Sequence, residues 1–180
     1  MSNTEAPTAL SKVPENPNFL SQGGFRLVVK RLPNVNFFAT KVNIPTISIQ
    51  PTAQPNPFVV IPHSGEHIDY DELNITFKID ENLQNYLEIH NWIKALGFPD
   101  NFRQYRELKG TDQFFGEGLK SEISIFILTS HRNANYEVIF RDAFPVSLSG
   151  FELDSTLDDV DYLDSTTIFK YTSYKIVKVT

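Results

Sequence analysis

Three polar side chains near the middle of the chain, His63, His67 and Asp69, are the first candidates for chemistry. Imidazole and carboxylate groups can bind a metal ion. Two histidines separated by three residues bind zinc best on a helix, where both rings share one face. Pro62 and Gly65 instead indicate a loop. We therefore interpret the two histidines as solvent-exposed side chains and predict no metal site.

An acidic cluster in the last quarter of the chain is the second candidate. Its members are Asp154, Asp158, Asp159, Asp161 and Asp164. The cluster lacks the ligand spacing and the central glycine of a calcium-binding loop. We interpret it as an acidic patch, which is either a solvated turn or a surface that faces a partner.

Signatures of catalysis and of cofactor binding do not occur in the sequence. Ser64 and Gly65 lack the pattern of a nucleophile elbow, and there is no phosphate-binding loop or dinucleotide fingerprint. The 180-residue chain contains no Cys, which excludes thiol nucleophiles, disulfides and Cys-ligated zinc. We predict no catalytic residue and no cofactor, so the protein is not expected to be an enzyme.

Composition and charge narrow the class of protein further. The hydrophobic fraction of 41% and the charged fraction of 21% are those of an ordinary soluble globular domain. A net charge of −6 opposes a surface that grips phosphates, but it would help nucleic acid to slide past without binding. No segment has the apolar length that spans a bilayer, and we expect no membrane partner.

The stretch 70–97 predicts the strand and the helix around which the fold is organised. Leu73, Ile75 and Phe77 alternate with polar residues, which is the period of a half-buried strand. The period then becomes helical, and Asp80 is a suitable N-cap for that helix. Gly97, with Pro99 two residues further on, is typical of a helix C-terminus.

We therefore predict one amphipathic helix over about residues 81–96. Its expected apolar stripe is Tyr86, Ile89, Ile93 and Leu96, with Trp92 on the flank and Gln84, Glu88 and Asn91 on the opposite side. Such a helix buries its stripe by lying over a β-sheet.

Most of the remaining sequence predicts strands and loops in a single domain of residues 23–180, preceded by a flexible arm of residues 1–22. Strands are expected near residues 25–29, 38–49, 123–128, 136–153 and 166–179, with a turn at Pro33 and Asn34 and a loop over 98–118.

A long Pro-rich stretch over residues 50–68 is interpreted as an irregular loop. It carries the apolar run Phe58, Val59, Val60 and Ile61. A loop of this length in one domain usually has a function. The four apolar residues either fold back on their own domain or dock on another subunit, and they are our candidates for subunit contact.

Three segments together resemble the tail tube proteins of contractile-tailed bacteriophages. The first is a strand pair over 25–45 that ends in VNIPTISI, the second is YDELNITFKIDENLQNYLEIHNWIKALG at 70–97, and the third is YEVIFRDAFPVSLSGFELDSTLDDVDYLDSTTIFKYTSYKI at 136–176. In that family a strand with an acidic start leads into the single helix, a later strand ends in x-F-P, and the last long strand carries aromatic residues. The resemblance covers most of the chain after residue 24.

The resemblance implies a mainly β fold with one α-helix, an antiparallel β-sandwich or barrel of the phage tail tube type. It implies homohexameric rings that stack into a tube, with the loop 50–68 reaching towards the adjacent ring. The implied partners are other copies of the chain, sheath and baseplate proteins, and DNA that passes through without specific binding. The protein would then be a structural component of the phage tail in the virion, made in the host cytoplasm.

Three alternatives remain open. The chain can be a tube initiator or a terminal ring of the baseplate or neck. It can be a tube protein of a bacterial secretion system, which has a similar fold. A third hypothesis is a β-rich domain that binds a small ligand through its aromatic residues. The first two alternatives predict ring assembly, whereas the third predicts a monomer with a pocket.

Overall fold

Antiparallel strands are the main regular structure among the residues that the computed structural model describes, which are 18–97, 103, 119–154, 156 and 162–179. The strands are β1 (Phe25–Val29), β2 (Ala39–Val42), β3 (Ile47–Ile49), β4 (Thr52–Gln54), β5 (Ile61–His63), β6 (Ile68–Tyr70), β7 (Leu73–Lys78), β8 (Ser121–Leu128), β9 (Ala134–Leu148), β10 (Asp164–Lys170) and β11 (Ser173–Lys178). The helices are α1 (Pro33–Phe38) and α2 (Gln84–Gly97). The mainly antiparallel β fold predicted from the sequence is confirmed.

One long strand, β9, connects two parts of a seven-stranded sheet. The strand order is β1-β8-β9-β10-β7-β2, and β11 also pairs with β9. The first part of β9, up to Ala143, pairs with β8 and β11, and the part from Phe144 onwards pairs with β10. Asp142 has a φ of 56° where the pairing changes. We call β1, β8, β11 and the first part of β9 the first half-sheet, and the remaining strands the second half-sheet.

The inward rows of both half-sheets and the buried face of α2 form one hydrophobic core. Strand β7 contributes Leu73, Ile75 and Phe77, all fully buried as their alternation predicts. The other core members are Leu27, Val29, Leu32, Val35, Ile89, Trp92, Ile123, Ile125, Val138, Phe140, Ala143 and Phe169. Burial of these apolar side chains is the main favourable term in folding.

Helix α2 begins at Gln84, three residues later than the predicted start at 81. Leu83 has a φ of 55°, and its amide donates to the Asp80 carbonyl in a turn that precedes the helix. Asp80 is therefore not the N-cap, and that prediction is wrong. The buried side chain of Asn85 joins the strand to the helix, since it accepts from the Asp80 amide at 3.2 Å and donates to the Lys78 carbonyl at 2.7 Å.

Trp92 lies at the centre of the buried face of α2, not on its flank. The fully or nearly fully buried residues of the helix are Asn85, Ile89, Trp92 and Ala95. The indole Nε1 donates to the Leu119 carbonyl at 3.0 Å, and the ring lies 6.0 Å from that of Phe169. The buried face of the helix is thus rotated relative to the predicted stripe. The apolar pattern alone misses this face because one of its members, Asn85, is polar.

Helix α1 replaces the turn predicted at Pro33 and Asn34. Proline suits the first turn of a helix because its missing N–H would have no partner there. The side-chain amide of Asn34 donates to Glu88 Oε1 at 2.7 Å, so the half-buried Glu88 contacts α1. Burial raises the pKa of the Glu88 carboxyl, and the hydrogen bonds from α1 oppose that rise.

The predicted closing strand over 166–179 is two strands, because β10 ends at Lys170 and β11 begins at Ser173. Between them, the Thr172 amide donates to the Arg141 carbonyl of β9 at 3.0 Å. The loop 98–118, apart from Arg103, and residues 1–17 of the N-terminal arm lie outside the described residues. In β8, one row is buried and the other is half-buried, so the expectation of a strand covered on both faces is met in part.

Replacing Trp92 with Ala is expected to lower the free energy of unfolding by about 3–5 kcal/mol, because it removes a large buried ring and leaves a cavity. Urea titration followed by circular dichroism measures the change. The matched control is Asn91→Ala, an exposed position on the same helix, which should change stability by less than about 0.5 kcal/mol. Equal effects at the two positions would contradict the placement of Trp92.

Asn85→Asp is expected to cost about 1–3 kcal/mol, because a carboxylate cannot donate to the Lys78 carbonyl and leaves it without that partner. Asp80→Ala is the comparison, and it should cost little because Asp80 is not a helix cap. Urea titration of both variants measures the loss in the free energy of unfolding. A larger loss in the Asn85 variant supports a helix that begins at Gln84 and not at residue 81. A larger loss from Asp80→Ala would place the helix start at residue 81.

Candidate assembly surface

Residues 46–71 form a β-hairpin, which we call the arm, and not the irregular loop predicted for 50–68. At its base β3 pairs with β6, so that Ile47 lies opposite Tyr70 and Ile49 opposite Ile68. Further out β4 pairs with β5, so that Thr52 lies opposite His63. All six residues of β4 and β5 are exposed.

The base of the arm has one apolar face and one polar face. Residues that lie opposite each other in an antiparallel pair point to the same side. Ile47, Ile49, Ile68 and Tyr70 therefore share one face, and Ser48 and Asp69 share the other. The three isoleucines are about half exposed, so the described part of the same chain leaves this face largely uncovered.

Gly65 allows the two strands of the arm to approach each other. A Cβ atom at this position would overlap the carbonyl oxygen of Gln50, and it would also lie 3.3 Å from a side-chain carbon of Ile49. Only glycine permits such a close approach of two backbone segments. Gly65 thus fixes the geometry between the two paired parts of the arm.

The tip of the arm carries the four predicted contact residues. Phe58 is 96% exposed, Val59 and Val60 are 62% and 63% exposed, and Ile61 is 38% exposed. The interpretation that they fold back on their own domain is therefore wrong. Docking on another subunit stays the prediction for this exposed apolar run.

Two tyrosine hydroxyls hold the two ends of the arm on the domain. Tyr174 donates to the Pro45 carbonyl at 3.3 Å, and Tyr171 donates to the Asp71 carbonyl at 2.8 Å. The ring of Tyr70 packs against both tyrosines, at centroid distances of 5.5 and 5.9 Å. Burial raises the pKa of Tyr171 to about 12, with smaller contributions from Tyr174, Asp71 and Tyr70, so this hydroxyl keeps its proton and stays a donor.

Asn43 adds a third connection at the base of the arm. Its side-chain amide donates to the Glu72 carbonyl at 3.2 Å, and its side-chain oxygen accepts from the Asn74 amide at 2.6 Å. The Asp71 amide donates to the Thr46 carbonyl at 3.1 Å and closes the hairpin. The arm is therefore fixed where it leaves the domain, and the apolar side chains at its tip are exposed.

The candidate metal residues lie on the arm but do not converge. His63 Nε2 lies 2.8 Å from Gln54 Oε1 across the β4–β5 pair. His67 and Asp69 are exposed near β6. Among the described residues, no group of three or more His, Asp or Glu side chains has the geometry to hold a metal ion.

The acidic cluster is only partly described, since Asp158, Asp159 and Asp161 lie outside the described residues. Asp154 accepts hydrogen bonds from the amide and hydroxyl of Thr156, and these bonds lower the pKa of its carboxyl. Asp164 forms an ion pair with Lys78 at 2.9 Å. The two described members therefore have separate local partners, and the acidic patch remains a prediction.

The outer face of the second half-sheet is polar, in contrast to the arm. Thr76 and Thr166 lie opposite each other with their hydroxyl oxygens 3.0 Å apart. Two lysines on this sheet have acidic partners, because Lys78 pairs with Asp164 and Lys170 pairs with Glu72 at 3.0 Å. Lys41 of β2 lies opposite Thr76 and is exposed. This face therefore presents hydroxyls, ion pairs and the Lys41 ammonium to solvent.

Within the described parts of the chain, neither α1 nor α2 has the length and apolar composition needed to cross a membrane.

The sequence singles out the exposed apolar residues at the tip, whose role in subunit contact stays a prediction, but it does not identify the tyrosines that position the arm. Tyr171 and Tyr174 were read as aromatic positions of one closing strand. The two tyrosines are three residues apart, whereas residues on one face of a regular strand are two apart. This break in the period indicates that the predicted strand is interrupted between them. Their partners are backbone carbonyls more than 99 residues away, which no local pattern identifies.

Comparison with protein families finds that the family described as phage tail tube protein matches residues 10–177. No curated protein matches the sequence. A chain in the structure of the anti-feeding prophage cap, which terminates that tube, aligns with a TM-score of 0.60 and 11% identity, over 96% of this chain and 100% of that chain. A chain of the anti-feeding prophage baseplate aligns with a TM-score of 0.58 and 11% identity, over 85% and 90%. A chain of the PVC sheath–tube complex, from an extracellular contractile injection system, aligns with a TM-score of 0.54 and 12% identity, over 97% and 100%.

Gly65→Ala is expected to open the arm while the core stays folded, because the added Cβ would overlap the Gln50 carbonyl. Hydrogen exchange of the amides in β4 and β5 should become faster, and exchange in β7 should not change. Gly23→Ala is the control, since no atom lies near its added Cβ. Unchanged exchange in the arm of the Gly65 variant would show that the close approach is not required.

Proposed function

The chain belongs to the phage tail tube protein family, and we propose that it is a structural virion protein whose copies form hexameric rings. On this proposal the rings stack into the tail tube, which is the conduit for DNA ejection. The protein acts by assembly and carries out no catalysis. Its expected partners are further copies of itself, and the sheath and baseplate proteins of the same particle.

The observation that carries this proposal is the arm with its exposed apolar tip. Phe58 is almost fully exposed, yet it is large and apolar, and such a residue gains most free energy by burial against another molecule. The tyrosine contacts hold the base of the arm in one position, so little conformational entropy is lost when the tip binds. A fixed protrusion of this kind suits a repeated contact between subunits.

The geometry of a stacked tube follows from such a contact. A protrusion that binds a different surface of the next copy makes a head-to-tail contact, and repetition of that contact gives an open assembly. We assign the arm to the contact between adjacent rings. The similarity to a chain of the PVC sheath–tube complex supports the assignment at the level of the fold.

The charge of the chain suits a DNA conduit. A tube that lets DNA pass must not bind phosphates, and a net charge of −6 disfavours such binding. On the polar outer face of the second half-sheet, the acidic partners of Lys78 and Lys170 support this role, whereas the exposed Lys41 does not.

A ring at the end of the tube is the second candidate function. The similarity to a chain of the anti-feeding prophage tube terminating cap favours it, at a TM-score of 0.60. An end ring and a tube ring differ in the number of faces that bind a further ring. Assembly of the purified chain alone distinguishes them, because a tube subunit forms long stacks and an end ring does not.

Negative-stain electron microscopy of the purified chain is expected to reveal sixfold rings and stacks. Replacing the tip residues Phe58, Val59, Val60 and Ile61 together with Ser should leave the rings and abolish the stacks, because the apolar contact between rings is lost. Mass photometry of the same samples counts chains per particle. A chain that stays monomeric at high concentration, alone and with its sheath and baseplate partners, would overturn the proposal.

The control variant is Phe37→Ser, which removes an exposed apolar ring of α1 that does not belong to the arm. It should stack as the unmodified chain does. Stacks of normal length in the tip variant would mean that the arm is not the contact between rings, even if rings form.

A further inference from the structure

The inward row of the first half-sheet continues beyond the part that the core covers. On β9, Phe140 and Val138 are fully buried, but Tyr136, two residues further along the same row, is 39% exposed. On β11, Ile176 lies opposite Val138 in the same row, yet it is 57% exposed. The described residues therefore leave one end of an apolar row bare.

A groove of about 300 Å³ lies beside this bare end. It is lined by Phe19, Leu20, Ile127, Leu128 and Tyr136, together with polar residues of the segments 18–21, 129–130 and 135. Phe19 is 98% exposed and Leu20 is 68% exposed. We call this surface, with Ile176, the acceptor groove.

The charges around the acceptor groove are opposite to those of the arm. The arm, residues 46–71, contains Glu66, Asp69 and Asp71 and no Lys or Arg. None of the residues that line the groove is acidic. Lys178 lies opposite Tyr136 in the register of β11 and β9, and Arg132 lies in the turn between β8 and β9 that borders the groove.

We propose that the acceptor groove binds the arm tip of a second copy of this chain. The two surfaces are both apolar, and one protrudes while the other is concave. The acidic residues of the arm lie between its tip and its base, and the rim of the groove carries Lys178 and Arg132. Both are exposed in one chain, so they do not satisfy each other within it. This inference rests on the proposed function, and it names the surface that receives the arm when rings stack.

The absence of Cys from the chain allows a direct test by thiol cross-linking. A Phe58→Cys chain with a mass tag is mixed with an untagged Tyr136→Cys chain, assembled, and treated with a short thiol-to-thiol cross-linker. Because each chain has one thiol, a product containing one tagged and one untagged chain can form only between chains. We expect this product as the main one. The control mixture pairs Phe58→Cys with Phe37→Cys, which lies outside the groove and should give no such product.

Electron microscopy of the mixtures before cross-linking separates this inference from the proposed function. Stacked rings with the cross-linked product support both. Stacked rings without it overturn the acceptor groove, leave the tube function standing, and assign the groove to another occupant such as a different tail protein. The absence of rings and stacks, with no cross-linked product, overturns both.

A charge reversal provides a second readout that does not depend on thiols. Lys178→Glu should raise the chain concentration needed for stacking by a factor on the order of three to ten, because it places like charge against the acidic arm. Lys175→Glu is the matched control, since Lys175 lies on the same strand but on the opposite face. Equal effects of the two reversals would contradict the placement of the arm at the groove.

Discussion

The backbone pairing of β9 is the constraint on which the rest of the structure depends. This strand of 15 residues pairs with β8 on one side and with β11 and then β10 on the other. Its bend at Asp142 turns the second half-sheet so that the inward rows of both halves join one core with α2. A backbone conformation that is unusual for a residue other than Gly persists only where the surrounding pairing holds it. The strands that pair with β9 on both sides hold Asp142 in this conformation.

The arm depends on that core, because a two-stranded ribbon is barely stable by itself in water. Tyr171 and Tyr174 lie where β10 leads into β11, and their hydroxyls reach the two ends of the arm. Phe140 of β9 packs against both rings, at centroid distances of 4.9 and 5.4 Å. The central strand therefore holds the tyrosines, and the tyrosines hold the arm. The exposed apolar tip is in this way connected to the most buried part of the domain.

The sequence predicted the elements that have a strong period and missed those defined by partners distant in the chain. Leu73, Ile75 and Phe77 alternate regularly, and burial confirmed their strand. The start of α2 was misplaced because Asp80 has the chemistry of an N-cap, whereas the actual constraint is the buried side chain of Asn85. The tip residues were identified by their apolar character alone. The hairpin around them was missed, since four prolines between residues 50 and 63 indicated an irregular loop and concealed the pairing of β4 with β5.

The same prolines explain how a chain can carry an exposed apolar hairpin and still avoid uncontrolled association. A bare β-ribbon presents free N–H and C=O groups to which any other strand can add. Pro62 sits within β5 and lacks an N–H, while Pro55 and Pro57 precede the tip residue Phe58 and lack it too. A strand added at this edge would lose those hydrogen bonds. On the proposed function, recognition of the tip would then come from its side chains, and the partner would need a shaped apolar surface and not simply another strand edge.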